Sequence, residues 1–306
     1  DYSSYSLEDV CLEMSSLGKG DIREPFIEVT YPNGSSTTDM VFDRAEIIQG
    51  KEEYDTLPGS YDDNGEVEQL VIYLKDRNYN LTLELHYYVY EKCDIITRSA
   101  KLVNSGNESV RLERLMSMQL DLNESDYELS FFNGAWAREM NRSRIPIRAG
   151  KYVNESVTGT SSNRANPFFM IGRSSTTEDY GECYGFNLIY SGNHYEAAQV
   201  NSYGKLRLVS GINPATFSYI IEAGKCFEAP EAVLTYSYKG YNRMSHNMHE
   251  FVRKHIVRGS WRDKERPVLI NSWEAAYFNI NERKLVKLAK AAKDTGVELF
   301  VMDDGW

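Results

Sequence analysis

Two adjacent acids follow a strand-like apolar run near the end of the sequence. Residues 299–302 read Leu-Phe-Val-Met, and Asp303, Asp304, Gly305 and Trp306 follow them. Carboxylates accept hydrogen bonds from sugar hydroxyls, and an aromatic face can pack against the C–H surface of a pyranose. The same acids could instead bind a metal or cap a helix. A catalytic pair is disfavoured, because neighbours on one short turn cannot flank a scissile bond.

A second apolar run precedes these acids and also ends in polar residues. Residues 267–273 read Pro-Val-Leu-Ile-Asn-Ser-Trp, and a helical pattern over 281–296 separates this run from the later one. Strand, helix, strand is the pattern of a βαβ unit with parallel strands, which carry functional residues at their carboxyl ends. We therefore expect Trp273 to face the same mouth as Asp303 and Asp304.

Most of the sequence before residue 239 alternates apolar and polar residues. Residues 66–76 and 79–91 are clear examples, and turns rich in Gly, Asn and Asp separate such runs. Many antiparallel strands at this spacing predict a large sandwich or barrel. Residues 141–166 are polar, Ser-rich and without clear periodicity. We expect a long irregular excursion there, either a functional loop or a disordered surface flap.

The pattern changes at about residue 239. Residues 241–257 have helical spacing, and a charged connector leads from them to the βαβ unit, where Asn281 is suited to cap the helix. The sequence therefore predicts three parts: a β domain over 1–238, a linker helix and connector over 239–265, and a βαβ segment over 266–306.

The composition excludes several classes of function. The net charge of −11 disfavours nucleic acid and anionic lipid as partners, because both need basic patches. No apolar run approaches the roughly 20 residues of a membrane span, so we expect no membrane partner. The four cysteines lie far apart and the histidines lack HExxH spacing, so we expect neither a metal site nor a cofactor. Reduced thiols and a cytoplasmic location are expected, and a neutral sugar is a compatible partner.

Residues 266–306 closely resemble the start of the catalytic barrel of family 36 glycoside hydrolases, the bacterial α-galactosidases. The resemblance continues through the β region, in stretches such as FFNGAWARE at 131–139, SSNRANPFFMI at 161–171 and GINPATFSYII at 211–221. It implies a mostly β fold: a large antiparallel β-supersandwich, a linker helix, and the first βαβ of a truncated (β/α)8 barrel.

The resemblance also implies a reaction and a set of site residues. The reaction is retaining hydrolysis of terminal α-D-galactosides, as in melibiose and raffinose. Asp303 and Asp304 match the tandem acids that hold the C4 and C6 hydroxyls of galactose. Trp273 matches the tryptophan of an Asn-Asn-Trp-Glu-Ala motif, from which Ser272 departs. Trp136 matches a tryptophan of the sandwich that reaches the sugar site, and its alternative is a core indole at a strand end.

The family's nucleophile and acid/base aspartates lie on later barrel strands, outside this sequence. We therefore expect no catalytic residue in residues 1–306 and no galactosidase activity from this segment alone. Two alternatives stay open: a non-catalytic carbohydrate-binding or assembly module, and an α-N-acetylgalactosaminidase on the same scaffold. The resemblance implies α-galactoside oligosaccharides as ligands and a homo-oligomer, a tetramer in many members, with the loop at 141–166 as a candidate contact.

Overall fold

A computed structural model describes residues 6–305 of the chain. It divides into two compact units, the first ending at Ile256 and the second beginning at Val257. The first unit is built almost entirely from β-strands, and the second contains a short βαβ arrangement. The mostly β fold predicted from the alternating sequence is confirmed. None of the described helices combines the length and the apolar character needed to cross a membrane.

In the described part of the chain, residues 6–305, sixteen strands form the two sheets of the first unit. In chain order they are β1 (Ile27–Thr30), β2 (Met40–Gln49), β3 (Glu68–Asp76), β4 (Leu81–Tyr90), β5 (Ile95–Asn104), β6 (Val110–Leu122), β7 (Glu128–Ala135), β8 (Arg138–Pro146), β9 (Gly150–Glu155), β10 (Phe168–Gly172), β11 (Cys183–Ile189), β12 (His194–Val200), β13 (Leu206–Ile212), β14 (Tyr219–Ile221), β15 (Cys226–Glu228) and β16 (Glu231–Ser237).

Both sheets are antiparallel and pack face to face around the apolar core. The smaller sheet has the order β1-β6-β13-β12-β9, with β14 also paired to β6. The larger has the order β2-β3-β4-β5-β16-β11-β10-β7-β8, with β15 also paired to β5. One core cluster joins Leu83 and Leu102 of the larger sheet to Leu112 of the smaller, and a second joins Phe169 to Leu208. The alternation of apolar residues along each strand produces this two-layer sandwich.

The predicted linker helix, α1 (Gly240–His255), packs on the first unit, against β11 and β16. Two glycines permit its close approach. A Cβ at Gly185 would collide with the sulfur of Met244, and a Cβ at Gly172 would collide with the hydroxyl oxygen of Tyr241. Further along the helix, Phe251 fills a cluster on the outer face of the larger sheet. The helix is therefore part of the sandwich unit and ends at its boundary.

In the second unit, residues 257–305 form two parallel strands and two helices. The elements are β17 (Leu269–Asn271), α2 (Trp273–Ala276), α3 (Glu282–Asp294) and β18 (Leu299–Val301). The side chain of Asn281 accepts a hydrogen bond from the backbone N–H of Lys284 at 3.0 Å, so the predicted N-cap is confirmed. Gly296 follows the helix at φ +87°, a left-handed conformation that favours glycine.

The prediction of an irregular excursion over 141–166 was wrong in its first half. Strand β8 continues to Pro146 and β9 runs from Gly150 to Glu155. Both are edge strands of their sheets, and β8 is exposed along nearly its whole length. Because neither face of β8 is buried against a core, its sequence carries no apolar alternation, and the pattern that identified the other strands was absent.

Candidate functional site

The parallel strands of the second unit bring the two polar strand ends together. Leu269 is paired with Leu299 and Asn271 with Val301, so both strands reach the same edge of the sheet at the same level. The parallel pairing predicted from the βαβ pattern is confirmed. Asp303 lies two residues beyond the end of β18 and is within hydrogen-bonding reach of Asn271.

Both carboxylate oxygens of Asp303 accept hydrogen bonds from the protein. Oδ1 accepts from the backbone N–H of Asp304 at 2.7 Å, and Oδ2 accepts from Nδ2 of Asn271. Its own backbone N–H donates to Oγ of Ser272 at 3.1 Å. The hydrogen bond from the Asp304 backbone, followed by that from Asn271, lowers the pKa of Asp303, because both donors stabilise the charged form. Asp303 is therefore held as an oriented anion.

Asp304 is more exposed and less engaged than its neighbour. Its Oδ1 accepts a hydrogen bond from the backbone N–H of Gly305 at 2.7 Å. Within the described part of the chain, no side chain donates to Asp304. Both acids thus accept hydrogen bonds from backbone N–H groups of the turn, as the capping alternative requires. The second carboxylate oxygen of Asp304 accepts no hydrogen bond from residues 6–305. No group of three or more His, Cys, Asp or Glu side chains in residues 6–305 is arranged to hold a metal.

Trp273 begins α2 directly after the first strand end. Its backbone N–H donates to Oδ1 of Asn271 at 2.7 Å, and its half-buried indole lies edge-to-face against Tyr277 and Phe278, with centroid separations of 5.4 and 5.0 Å. Tyr277 has φ +45°, an unusual conformation for a residue with a side chain. The turn at Tyr277 and Phe278 therefore supports the indole on one side.

Ser272 follows β17, is buried, and bonds to the end of β18 and to the turn after it. Its backbone N–H donates to the carbonyl of Val301 at 3.0 Å, and its hydroxyl accepts from the backbone N–H of Asp303. The serine that departs from the family motif thus fixes the start of the acidic turn. The sequence could not indicate this contact, because Ser272 by itself carries no distinguishing pattern.

Trp136 lies in the first unit, at the tip of the hairpin that joins β7 and β8. Its side chain is 92% exposed, so the alternative of a core indole is wrong. Ala137 follows at φ +56° and donates its backbone N–H to Glu139 at 2.9 Å. Close to the tip, the amide of Asn133 donates to the carbonyl of Arg164 at 2.8 Å, which ties the hairpin to that segment. An indole displayed in this way is available to a ligand.

The structure brings together only part of the predicted set. Asp303, Asp304 and Trp273 belong to the second unit, where Asn271 links Trp273 to Asp303 and the backbone N–H of Asp304 donates to Asp303. Trp136 belongs to the first unit. Trp306 lies outside the described residues. From the sequence alone no role is assigned to Asn271, although its place two residues before Trp273, at the end of an apolar run, is a signal that could have identified it.

Comparison with known proteins agrees with this architecture. The model of the glycosyl hydrolase family 36 N-terminal domain matches residues 1–222, and the Melibiase model matches residues 226–306. α-Galactosidase AgaA of Geobacillus stearothermophilus is 40% identical over 304 residues, which cover 99% of this chain and 42% of that protein. The chain therefore spans about two fifths of the length of such relatives.

Solved structures agree over the whole of this chain. The crystal structure of the α-galactosidase from Lactobacillus brevis superposes with a TM-score of 0.96 at 41% identity, covering 98% of this chain and 41% of that one. A variant of AgaA from G. stearothermophilus in complex with raffinose superposes with a TM-score of 0.97 at 40% identity, covering 100% and 43%. With one family model covering well over half of its residues, the chain belongs to glycoside hydrolase family 36.

Proposed function

We propose that the protein containing this chain is a retaining α-galactosidase acting on terminal α-D-galactosides of the melibiose and raffinose type. The observation that carries the proposal is the oriented anion Asp303 beside the less engaged Asp304, at the carboxyl end of a barrel-type strand. The likeness to AgaA, a relative whose variant was crystallised with raffinose, supports the choice of sugar.

In the proposed site the two acids hold the sugar and do not break the bond. Adjacent carboxylates on one turn can accept hydrogen bonds from two neighbouring hydroxyls of one ring, and for galactose these are the C4 and C6 hydroxyls. A retaining pair needs carboxyls about 5–5.5 Å apart across the scissile bond, which Asp303 and Asp304, joined by a backbone hydrogen bond, do not provide. The indole of Trp273 supplies an apolar face for the C–H surface of the ring, and the resemblance supports Trp136 as a further indole that contacts the sugar.

The nucleophile and the acid/base are proposed to lie outside residues 1–306. The proposal includes a cytoplasmic location, which suits the four free thiols, two of them exposed. It also includes a homotetramer. Hydrolysis by double displacement then requires the remaining barrel strands, so that this segment contributes recognition of the galactose and the full chain contributes cleavage.

The test is to measure turnover by the full-length protein and by residues 1–306. We expect the full-length protein to hydrolyse melibiose and raffinose, with α-galactose as the first product seen by NMR, because two inversions retain the anomeric configuration. We expect the 306-residue segment to be inactive on an aryl α-galactoside. A full-length protein that binds galactosides without turnover would favour a carbohydrate-binding module. Preference for the N-acetylgalactosaminide would favour the sister activity.

The exposed Trp136 provides a separate test of the sugar site. We expect Trp136→Ala in the full-length enzyme to raise KM for raffinose about five- to tenfold, the loss of roughly 1 kcal/mol of aromatic contact, without lowering the melting temperature. Stability should be unaffected because the 92% exposed ring is not part of the core. Trp261→Ala is the matched control, since Trp261 is also exposed and packs on Lys264 and Arg266. Equal kinetics for both variants would remove Trp136 from the site.

A further inference from the structure

The amide of Asn271 joins the two strand ends of the second unit. Its Oδ1 accepts from the backbone N–H of Trp273 at 2.7 Å, and its Nδ2 donates to the carboxylate of Asp303. An asparagine side chain has one acceptor oxygen and one donor nitrogen at its end. Because one partner is a donor and the other an acceptor, only one orientation of the amide satisfies both contacts.

We infer that Asn271 is a positioning residue of the galactose subsite, which holds the Asp303 carboxylate and the Trp273 backbone in one fixed arrangement. The inference rests on the proposed function, because it assigns a task to a residue that would not touch the sugar. Groups that bind a ligand need neighbours that lock their geometry, and displacements of about 1 Å are enough to impair catalysis.

The backbone around Asn271 is itself rigidly placed. Asn271 lies in register with Val301 across the parallel pair, and the next residue, Ser272, donates its N–H to the carbonyl of Val301. The Ser272 hydroxyl accepts from the N–H of Asp303. Residues 271 and 272 therefore fix Asp303 at two points, its backbone nitrogen and its carboxylate.

A neutral donor at this position has a chemical advantage over a cation. The Asn271 amide orients the carboxylate of Asp303 and stabilises its charged form, which agrees with the lowered pKa of this group. A lysine or arginine would also orient the carboxylate, but it would neutralise the charge that a sugar hydroxyl needs as its acceptor. The asparagine thus leaves a preorganised anion with its charge available.

The test compares three variants of the full-length enzyme by calorimetric binding of galactose. Asn271→Ala removes both contacts, and Asn271→Asp keeps an acceptor for Trp273 but replaces the donor to Asp303 with an anion. We expect both to weaken galactose binding about tenfold or more, with Asn271→Asp at least as weak as Asn271→Ala. The control Asn279→Ala, a nearby exposed asparagine, should bind as the wild type does.

The pH dependence of binding separates positioning from general destabilisation. Wild-type affinity should persist above the lowered pKa of Asp303 and be lost as the pH falls through it. In Asn271→Ala that midpoint should move to higher pH, because a donor to the charged form is gone. Asp304, Glu274 and Tyr277 are the other titratable side chains on the bordering segments. They are unchanged in the variant, and Tyr277 already donates to Glu274 at 3.3 Å.

Galactose binding by Asp303→Asn separates a failure of the positioning role of Asn271 from a failure of the proposed function. If Asp303→Asn weakens galactose binding but both Asn271 variants keep wild-type affinity and pH midpoint, the positioning role is wrong and the proposed function stands. If Asp303→Asn also binds galactose normally, the proposed function of this site is wrong. Should Asn271→Ala fail to fold, the isosteric Asn271→Asp decides the question.

Discussion

Asp304→Asn is expected to lower kcat/KM for melibiose by roughly 10- to 100-fold in the full-length enzyme, and Asp303→Asn by at least as much. Hydrogen bonds to charged groups are worth about 1.5–3 kcal/mol each, and about 1.4 kcal/mol is tenfold in rate. In Asp304→Asn the enzyme loses a charged acceptor for a sugar hydroxyl. The oxygen concerned is the one that accepts no hydrogen bond from residues 6–305. Steady-state kinetics on melibiose measures both variants.

The effect at Asp303 should be at least as large as that at Asp304 because of its two protein donors. Its carboxylate accepts from the Asp304 backbone and from the Asn271 amide. An asparagine at position 303 has only one oxygen, so its NH2 group would face one of these donors and disturb the turn. Loss should appear in kcat as well as KM, since a misplaced sugar is also misaligned for the reaction.

Asp294→Asn is the matched control for these two variants. Asp294 is an exposed carboxylate at the C-terminal end of α3, in the same unit but away from the strand ends. It should leave kcat/KM within error of the wild type. Wild-type kinetics in both Asp303→Asn and Asp304→Asn would contradict the assignment of these acids to sugar hydroxyls.

The elements that were predictable from the sequence are those whose burial is periodic. Strands β3 and β4 lie within the alternating stretches 66–76 and 79–91, and α3 begins at its predicted cap, Asn281. Each of these elements packs one face against a core or a neighbouring element. Apolar residues therefore recur along its sequence at the period of a strand or a helix. The edge strand β8 has no buried face, and the sequence therefore did not reveal it.

The order of strands within the sheets was beyond reach of local pattern. Strand β5 lies between β4 and β16, and β6 lies between β1 and β13. Pairing partners more than 80 residues apart, as in β1–β6, β6–β13 and β5–β16, are chosen by the packing of the whole core, which no short stretch encodes. The same limit applies to the site: Asp303 and Trp273 were recognisable by type, but the amide that couples them became visible only with the register of β17 and β18.

Buried charges were the least predictable feature, because charged residues on strands normally face water. Arg207 of β13 is fully buried and meets Asp121 of β6 through two hydrogen bonds of 2.7 Å. It also donates to Asp21 at 2.8 Å, and Arg23 binds the same Asp21 at 2.9 and 3.0 Å. The side chains are 0–2% exposed. Two cations and two anions thus fasten the segment before β1 to the smaller sheet.

Arg207→Met is expected to destabilise the protein by about 3–5 kcal/mol, the usual cost of leaving one partner of a buried ion pair without the other. Asp121 and Asp21 would then share the single cation Arg23. The measurement is thermal unfolding of the full-length enzyme, with a fall of several degrees for the sandwich transition. Arg111→Met is the control: its side chain is 58% exposed, lies 3.9 Å from Glu113 and should cost under about 1 kcal/mol.

Acid unfolding gives this prediction a second readout. Burial alone would raise the pKa of Asp21, but the hydrogen bonds from Arg23 and the charge of Arg207 outweigh it and lower that pKa. A lowered pKa contributes stability that is fully present above the ordinary value of about 3.9 and is lost as the pH falls through the folded value. Without the charge of Arg207, less remains to counter the effect of burial, so the pKa of Asp21 rises. On lowering the pH, Arg207→Met should therefore unfold at a higher pH than the wild type. Equal acid midpoints for Arg207→Met and Arg111→Met would mean that the buried network adds nothing beyond an exposed pair.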